Sequence, residues 1–148
     1  NKSLIDVNEA DKILMKCFSD KRIYEFNKKY GKHKKIIVFK DQDDNKVKGV
    51  VNITPTKYIQ NIPQLSPNGY FINNLCVDPE YRNKGIGSKL IKHIISKAKS
   101  EGVLHLMLQV SKNSKTKLEY ELLIKFYLDL GFKQHEKYNN FELLIQKL

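Results

Sequence analysis

Apolar residues recur at Ala10, Ile13, Leu14 and Cys17, three and four apart, which predicts an amphipathic helix capped by Asp6 or Asn8. Ile23, Phe26 and Tyr30 keep that period up to Gly31, a second short helix. The pattern then changes. Lys35–Lys40 and Val47–Thr54 are rich in β-branched residues and flank the turn-forming stretch Asp41–Lys46, which predicts an antiparallel hairpin. Pro55–Gly69 carries three prolines and little periodicity, so it reads as a long loop. Tyr70–Val77 is the next strand, ended by Asp78-Pro79. In Gly85–Ser100, Ile86, Leu90, Ile91, Ile94, Ile95 and Ala98 share one face while Lys89, Lys92, Lys97 and Lys99 point outward, the strongest helix of the chain. Val103–Val110 reads as a strand, Lys115–Leu130 as a helix stopped by Gly131, and Phe132–Leu148 as a hairpin turning at Asn139-Asn140. The resulting fold class is mixed α/β. Strand, helix and strand from Tyr70 to Val110 form a βαβ unit whose strands should be parallel neighbours.

Composition bounds what this architecture does. With 148 residues, 41% hydrophobic and 29% charged, no internal repeat and no Pro-, Gly- or Ser-rich linker, the expectation is one domain over residues 1–148. The two cysteines, Cys17 and Cys76, lack zinc-site spacing and are too few for a disulfide framework. They read as packed free thiols of a reducing, cytoplasmic compartment, with a targeting segment removed before Asn1 left open. No apolar run reaches the roughly 18–20 residues that cross a bilayer, and no metal-ligand cluster stands out. The net charge of +11 raises polyanionic partners, but of 27 basic residues only Arg22 and Arg82 are arginine and the lysines are diffuse. That argues against a nucleic-acid-binding module, which clusters its basic residues and leans on arginine.

The chemistry concentrates between Val77 and Ser88. A glycine loop there joins a strand to a helix, where free backbone N–H groups and the helix dipole make an anion site. A P-loop is disfavoured because Ser88-Lys89 reverses the required Lys-Ser order. A dinucleotide fingerprint fails because Leu90 stands where its third glycine belongs. What remains is Arg82-x-x-Gly85-x-Gly87 after a strand, opening an amphipathic helix.

This loop, the order of elements and Tyr127 followed by Gly131-Phe132 resemble the GNAT acyltransferase superfamily, over roughly Asp6 to Leu148. The resemblance implies a mostly antiparallel central sheet flanked by helices, with the βαβ unit carrying the coenzyme A pyrophosphate loop. It implies a direct transfer of an acetyl group from acetyl-CoA to a primary amine of a small molecule or a protein, by a monomer or homodimer without a metal. By position, the backbone at Leu75, Cys76 and Val77 would pair with the pantetheine arm like an added strand. Amides of Arg82, Asn83, Lys84, Gly85, Ile86, Gly87 and Ser88 would hold the pyrophosphate. Asn113 would contact the cofactor, and Tyr127 would stand near its sulfur as the proton donor.

Read on their own, Leu75 and Val77 are strand core, Gly85 and Gly87 can shape a tight turn, and Asn113 can cap a helix. The family's asparagine seven residues before the tyrosine is Tyr120 here, so Asn113 and Tyr120 compete for the cofactor contact. Many relatives place a glutamate on the Tyr70–Val77 strand, where this chain has Asn73 and Asn74, neither able to take a proton. His105 acting through water, or solvent itself, is left as the base. A non-catalytic acyl-CoA sensor is the alternative within the same fold.

Overall fold

A computed structural model describes residues 4–59, 68–112, 116–138 and 140–148. Helix α1 is Leu4–Cys17 and α2 is Asp20–Tyr30. Strands β1 (Lys35–Lys40) and β2 (Val47–Pro55) form the first hairpin, and β3 is Gly69–Val77. Helix α3 is Ile86–Ser100, β4 His105–Ser111, α4 Lys117–Asp129, β5 Lys133–Lys137 and β6 Phe141–Lys147. The six strands make one sheet in the order β1-β2-β3-β4-β6-β5. All neighbours are antiparallel except β3 and β4, which are parallel as the βαβ pattern requires.

Alternation along the strands sends side chains to two faces. On one face Ile37, Val51, Ile53, Leu106, Leu108 and Leu144 meet Leu90, Ile91 and Ile94 of α3 and Ile124 and Tyr127 of α4, forming the main core. On the opposite face Ala10, Ile13 and Leu14 of α1 and Ile23 of α2 pack on Val47, Val50 and Cys76. Over β4 and β6 that same face carries a smaller group of Phe71, Met107 and Leu143.

Several boundaries moved for local reasons. Helix α1 already runs from Leu4, so Asp6 and Asn8 sit inside it rather than at its start. Helix α4 starts later than Lys115, at Lys117, because Thr116 and Glu119 form a reciprocal capping box, each side chain bonding the other's backbone N–H. Strand β4 starts at His105 because the Val103 N–H still bonds back to the Ala98 carbonyl at the end of α3. Asn139, half of the expected final turn, and most of the Pro55–Gly69 stretch (residues 60–67) lie outside the described residues.

The cysteines correct the sequence reading more sharply. Cys17, at the end of α1, is disulfide-bonded to Cys76 on β3, with Cα atoms 6.0 Å apart across 59 positions. Neither is a free thiol. Packing of α1 across β3 brings them together, and nothing in their spacing announces it. The argument for a reducing compartment loses that support. On the chain-entropy account, a crosslink of this span stabilises by about 4 kcal/mol. The expected outcome is that Cys17→Ser unfolds at clearly lower denaturant than the oxidised protein, and that dithiothreitol lowers the midpoint of the parent but not of the variant.

Candidate active site

The register between β3 and β4 is short: Gly69 faces His105, Tyr70 faces Leu106, Phe71 faces Met107 and Ile72 faces Leu108, and there the pairing ends. Beyond Ile72 the two strands part. β4 stays paired to β6 as far as Ser111, and β3 stays paired to β2 as far as Val77, so a split opens between two halves of one sheet. A β-bulge marks the parting on the β3 side. Asn52 pairs with Asn74 and Ile53 with Ile72, which leaves Asn73 as the extra residue. The bulge is held by side chains: Thr54 Oγ1 donates to Asn73 Oδ1 at 2.7 Å, and Asn52 Nδ2 donates to Asn74 Oδ1 at 3.4 Å. Leu75, Cys76 and Val77 line the split with one backbone edge satisfied by Val51, Val50 and Gly49. The other edge meets no strand among the described residues.

At the top of the split the loop takes the shape its glycines allow. Asn83 (φ 64°) and Gly85 (φ 77°) are both left-handed, which turns the chain tightly into α3. Lys89 N–H to the Gly85 carbonyl, at 3.0 Å, is the first helical bond, so the amides of Ile86, Gly87 and Ser88 precede the ladder. A Cβ on Gly87 would lie 3.5 Å from Phe126 Cζ, 3.7 Å from Val77 Cγ2 and 4.0 Å from Leu75 Cδ2. The loop, β3 and α4 therefore meet around this one glycine. Arg82 does not reach outward: its Nε donates to the Val77 carbonyl at 3.2 Å, and its Nη2 lies 3.4 Å from Cys17 Sγ. Lys84 Nζ lies 5.5 Å above the Tyr81 ring.

Beside Phe126, Tyr127 is buried, with its ring edge-on to Phe126 and Phe132 at 5.0 and 5.8 Å between centroids. Its hydroxyl makes no hydrogen bond to the described residues, and burial pushes its pKa up, so the phenol holds its proton at neutral pH. Tyr120, two turns earlier, is committed elsewhere. Its hydroxyl donates to Glu142 Oε1 at 2.6 Å while Gln134 Nε2 donates to Glu142 Oε2 at 2.6 Å, and burial and that carboxylate raise the phenol's pKa. Asn113, with Lys115 beside it, lies outside the described residues. Of the other lysines of that stretch, Lys112 Nζ donates to the Tyr138 carbonyl and Lys117 pairs with Glu121 on the exposed side of α4. His105 is the first residue of β4, three positions from the parting.

The acetyltransferase (GNAT) family profile matches residues 4–132 of this sequence. The chain belongs to the GNAT acetyltransferase family. A curated relative, glucosamine 6-phosphate N-acetyltransferase of Trypanosoma brucei brucei, is 32% identical over 72 residues, 49% of this chain and 43% of that enzyme, so the match spans less than half of its length. Among solved structures, the ribosomal-protein-S18-alanine N-acetyltransferase of Escherichia coli superposes with a TM-score of 0.71 at 17% identity, covering 99% of this chain and 90% of that one. A GNAT family acetyltransferase from Elizabethkingia anophelis with acetyl-CoA bound gives 0.65 at 19% identity, covering 88% and 84%. These likenesses establish the fold. Among the described residues no cluster of metal-ligating side chains occurs and no helix is long and apolar enough to cross a membrane.

Three site features of this GNAT chain escaped the sequence reading. The bulge at Asn73 is a property of two strands in register and leaves no mark on one. The Tyr120–Glu142–Gln134 contacts join residues far apart in the chain. The third is an ion pair at the base of the loop, where Lys16 Nζ meets Asp78 Oδ2 at 2.8 Å and Asp78 Oδ1 caps the Glu80 N–H at 3.1 Å. The Lys16 hydrogen bond, helped by the Glu80 amide, holds the Asp78 carboxyl below the usual carboxylate range. A folded-state pKa depressed in this way stabilises the protein above the unfolded value and is lost as pH falls. Asp78→Asn should accordingly lose less stability than the parent between about pH 5 and pH 3, as chemical unfolding across that range would show.

Proposed function

We propose that this protein transfers the acetyl group of acetyl-CoA to a primary amine in a ternary complex. The observation that carries the reading is the split between β3 and β4, with a glycine-shaped helix start following the β3 lip; the buried, protonated Tyr127 on α4 is assigned to the reacting sulfur. The edge of Asn73–Val77 that meets no strand among the described residues offers backbone groups, the Arg82-bonded Val77 carbonyl excepted, for the amides of a pantetheine arm, which would continue the sheet as an added strand. The first-turn amides of α3 and the loop from Arg82 to Ser88 receive the pyrophosphate, with Gly87 allowing its approach. Arg82 serves by shaping the loop rather than by forking onto phosphate, since its guanidinium is turned back on Val77 and Cys17.

The chemistry follows from what the walls supply. The neutral amine attacks the thioester carbonyl carbon, forming an N–C bond, and backbone amides at the bulge polarise the carbonyl oxygen. As the C–S bond breaks, the sulfur takes the electron pair and Tyr127 donates its proton there, to be re-protonated from solvent. The amine's surplus proton leaves through water, because Asn73 and Asn74 are carboxamides already bonded to Thr54 and Asn52 and accept no proton. A user of acetyl-CoA works where acetyl-CoA is supplied, which supports a cytoplasmic location.

Two variants test the two halves of this reading. Gly87→Ala places its methyl at ordinary contact distances and gains about 1 kcal/mol of helix propensity, so it should fold as well as the parent yet bind acetyl-CoA at least about tenfold more weakly; equal affinity by calorimetry refutes the pyrophosphate assignment. Tyr127→Phe keeps the ring and removes the proton. Turnover should fall by roughly 10²–10⁴ with acetyl-CoA affinity nearly unchanged, measured as steady-state acetylation across a panel of amines. A protein that binds acetyl-CoA but acetylates none of them is a sensor instead.

A further inference from the structure

The acceptor must approach the split from the face opposite α3 and α4, because those helices fill the other side with the main core. On the approach face α1 and α2 pack over β2 and β3, and beyond them, over β4, β6 and β5, a cavity of about 600 Å³ opens. Its floor is Met107 and Ile145. Its rim is basic: His105, Lys133, His135 and Lys147 converge on it, and no carboxylate among the described residues lines it. The register explains the convergence. Lys133 pairs with Ile145 on β6, His105 pairs with Lys147, and the β-bulge between Gln134 and Glu136 is at His135.

None of these four side chains has a hydrogen-bond or ion-pair partner among the described residues, and His105 Nδ1 is buried without one. Elsewhere lysines are neutralised locally, as Lys48 is by Asp41 and Asp44 and Lys16 by Asp78. Glu136, the carboxylate next along the same face, is engaged with the Tyr138 hydroxyl. The cavity thus gathers uncompensated donors over an apolar floor. Met107 is one residue before Leu108, the last paired position of β4, and His105 is three residues from it, about 10 Å along a strand.

We propose that this cavity binds an acidic group of the acceptor, a phosphate or carboxylate carried about 10 Å from the amine that enters the split. The two lysines supply charge and the two imidazoles supply N–H donors, while Met107 and Ile145 cover the apolar carbons between. The selectivity rests on the acetyl-transfer reading, but the anion site itself does not.

The test separates the two. Three small amines probe the cavity directly: phosphoethanolamine, β-alanine and ethanolamine, which differ in the presence and kind of acidic group. In NMR titrations, phosphoethanolamine and β-alanine should shift the imidazole signals of His105 and His135 along saturable curves, with ethanolamine leaving them in place. The Lys133→Met/Lys147→Met double variant should lose those shifts while keeping its fold and its acetyl-CoA affinity. In acetylation assays over longer amines, acceptors that carry an acidic group should show a KM at least about tenfold below their neutral analogues, and that advantage should vanish in the double variant. Saturable shifts without acetylation of any amine would uphold the anion site and reject the transfer reading. No saturable shift, or shifts unchanged in the double variant, would overturn the proposal whatever the turnover.

Discussion

The split in the sheet depends on four residue pairs. Parallel strands β3 and β4 hold together from Gly69–His105 to Ile72–Leu108 and no further. Parallel pairing goes with the crossover through α3, and beyond Ile72 each strand keeps only its other neighbour, β2 on one side and β6 on the other. Had the pairing continued to Val77, the sheet would be closed and its interior a core. The bulge at Asn73 belongs to the same constraint, because it shifts the register of β3 against β2 at the level where β4 departs.

A split sheet needs both lips fixed, and polar contacts do it on each side. On the β3 lip, α1 is tied down by Lys16 to Asp78 and by Cys17 to Cys76, and Arg82 folds back on the Val77 carbonyl, so the loop rests on a braced strand. On the β4 lip, the carboxylate of Glu142, almost fully buried at 1% exposure, accepts from Tyr120 and Gln134 and fastens α4 to the last hairpin. A buried carboxylate is costly unless its lone pairs are filled, and here Tyr120 and Gln134 donate to it. Tyr127 is carried on the helix thus fastened.

Periodicity made the helices and strands legible, and the glycines made the tight turn into α3 legible, because both are properties of neighbouring residues. The parallel pairing of β3 and β4 followed from the strand, helix, strand order. What stayed hidden depends on residues distant in sequence: Cys17 with Cys76, Asn52 with Asn74, Tyr120 with Glu142. One local signal was present and unread. Thr116-x-x-Glu119 is a capping box, and it sets the start of α4 two residues after Lys115. The place of Tyr120 shows the limit of carrying a family position over: the tyrosine that stands for an expected asparagine turns its hydroxyl to a carboxylate on β6.

The crosslink between residues 17 and 76 also changes the topology of the chain. It closes a ring that contains α2, both strands of the first hairpin and most of β3, while α3, β4, α4, β5 and β6 form an open tail attached to it. The ring contributes one lip of the split and the tail the other. A peptide-bond cleavage inside the ring leaves two segments that remain one covalent molecule, whereas a cleavage in the tail releases a separate piece. Under oxidising conditions, then, the two halves of the split sheet differ in what a single backbone cut does to them, an asymmetry that vanishes once the sulfurs are reduced.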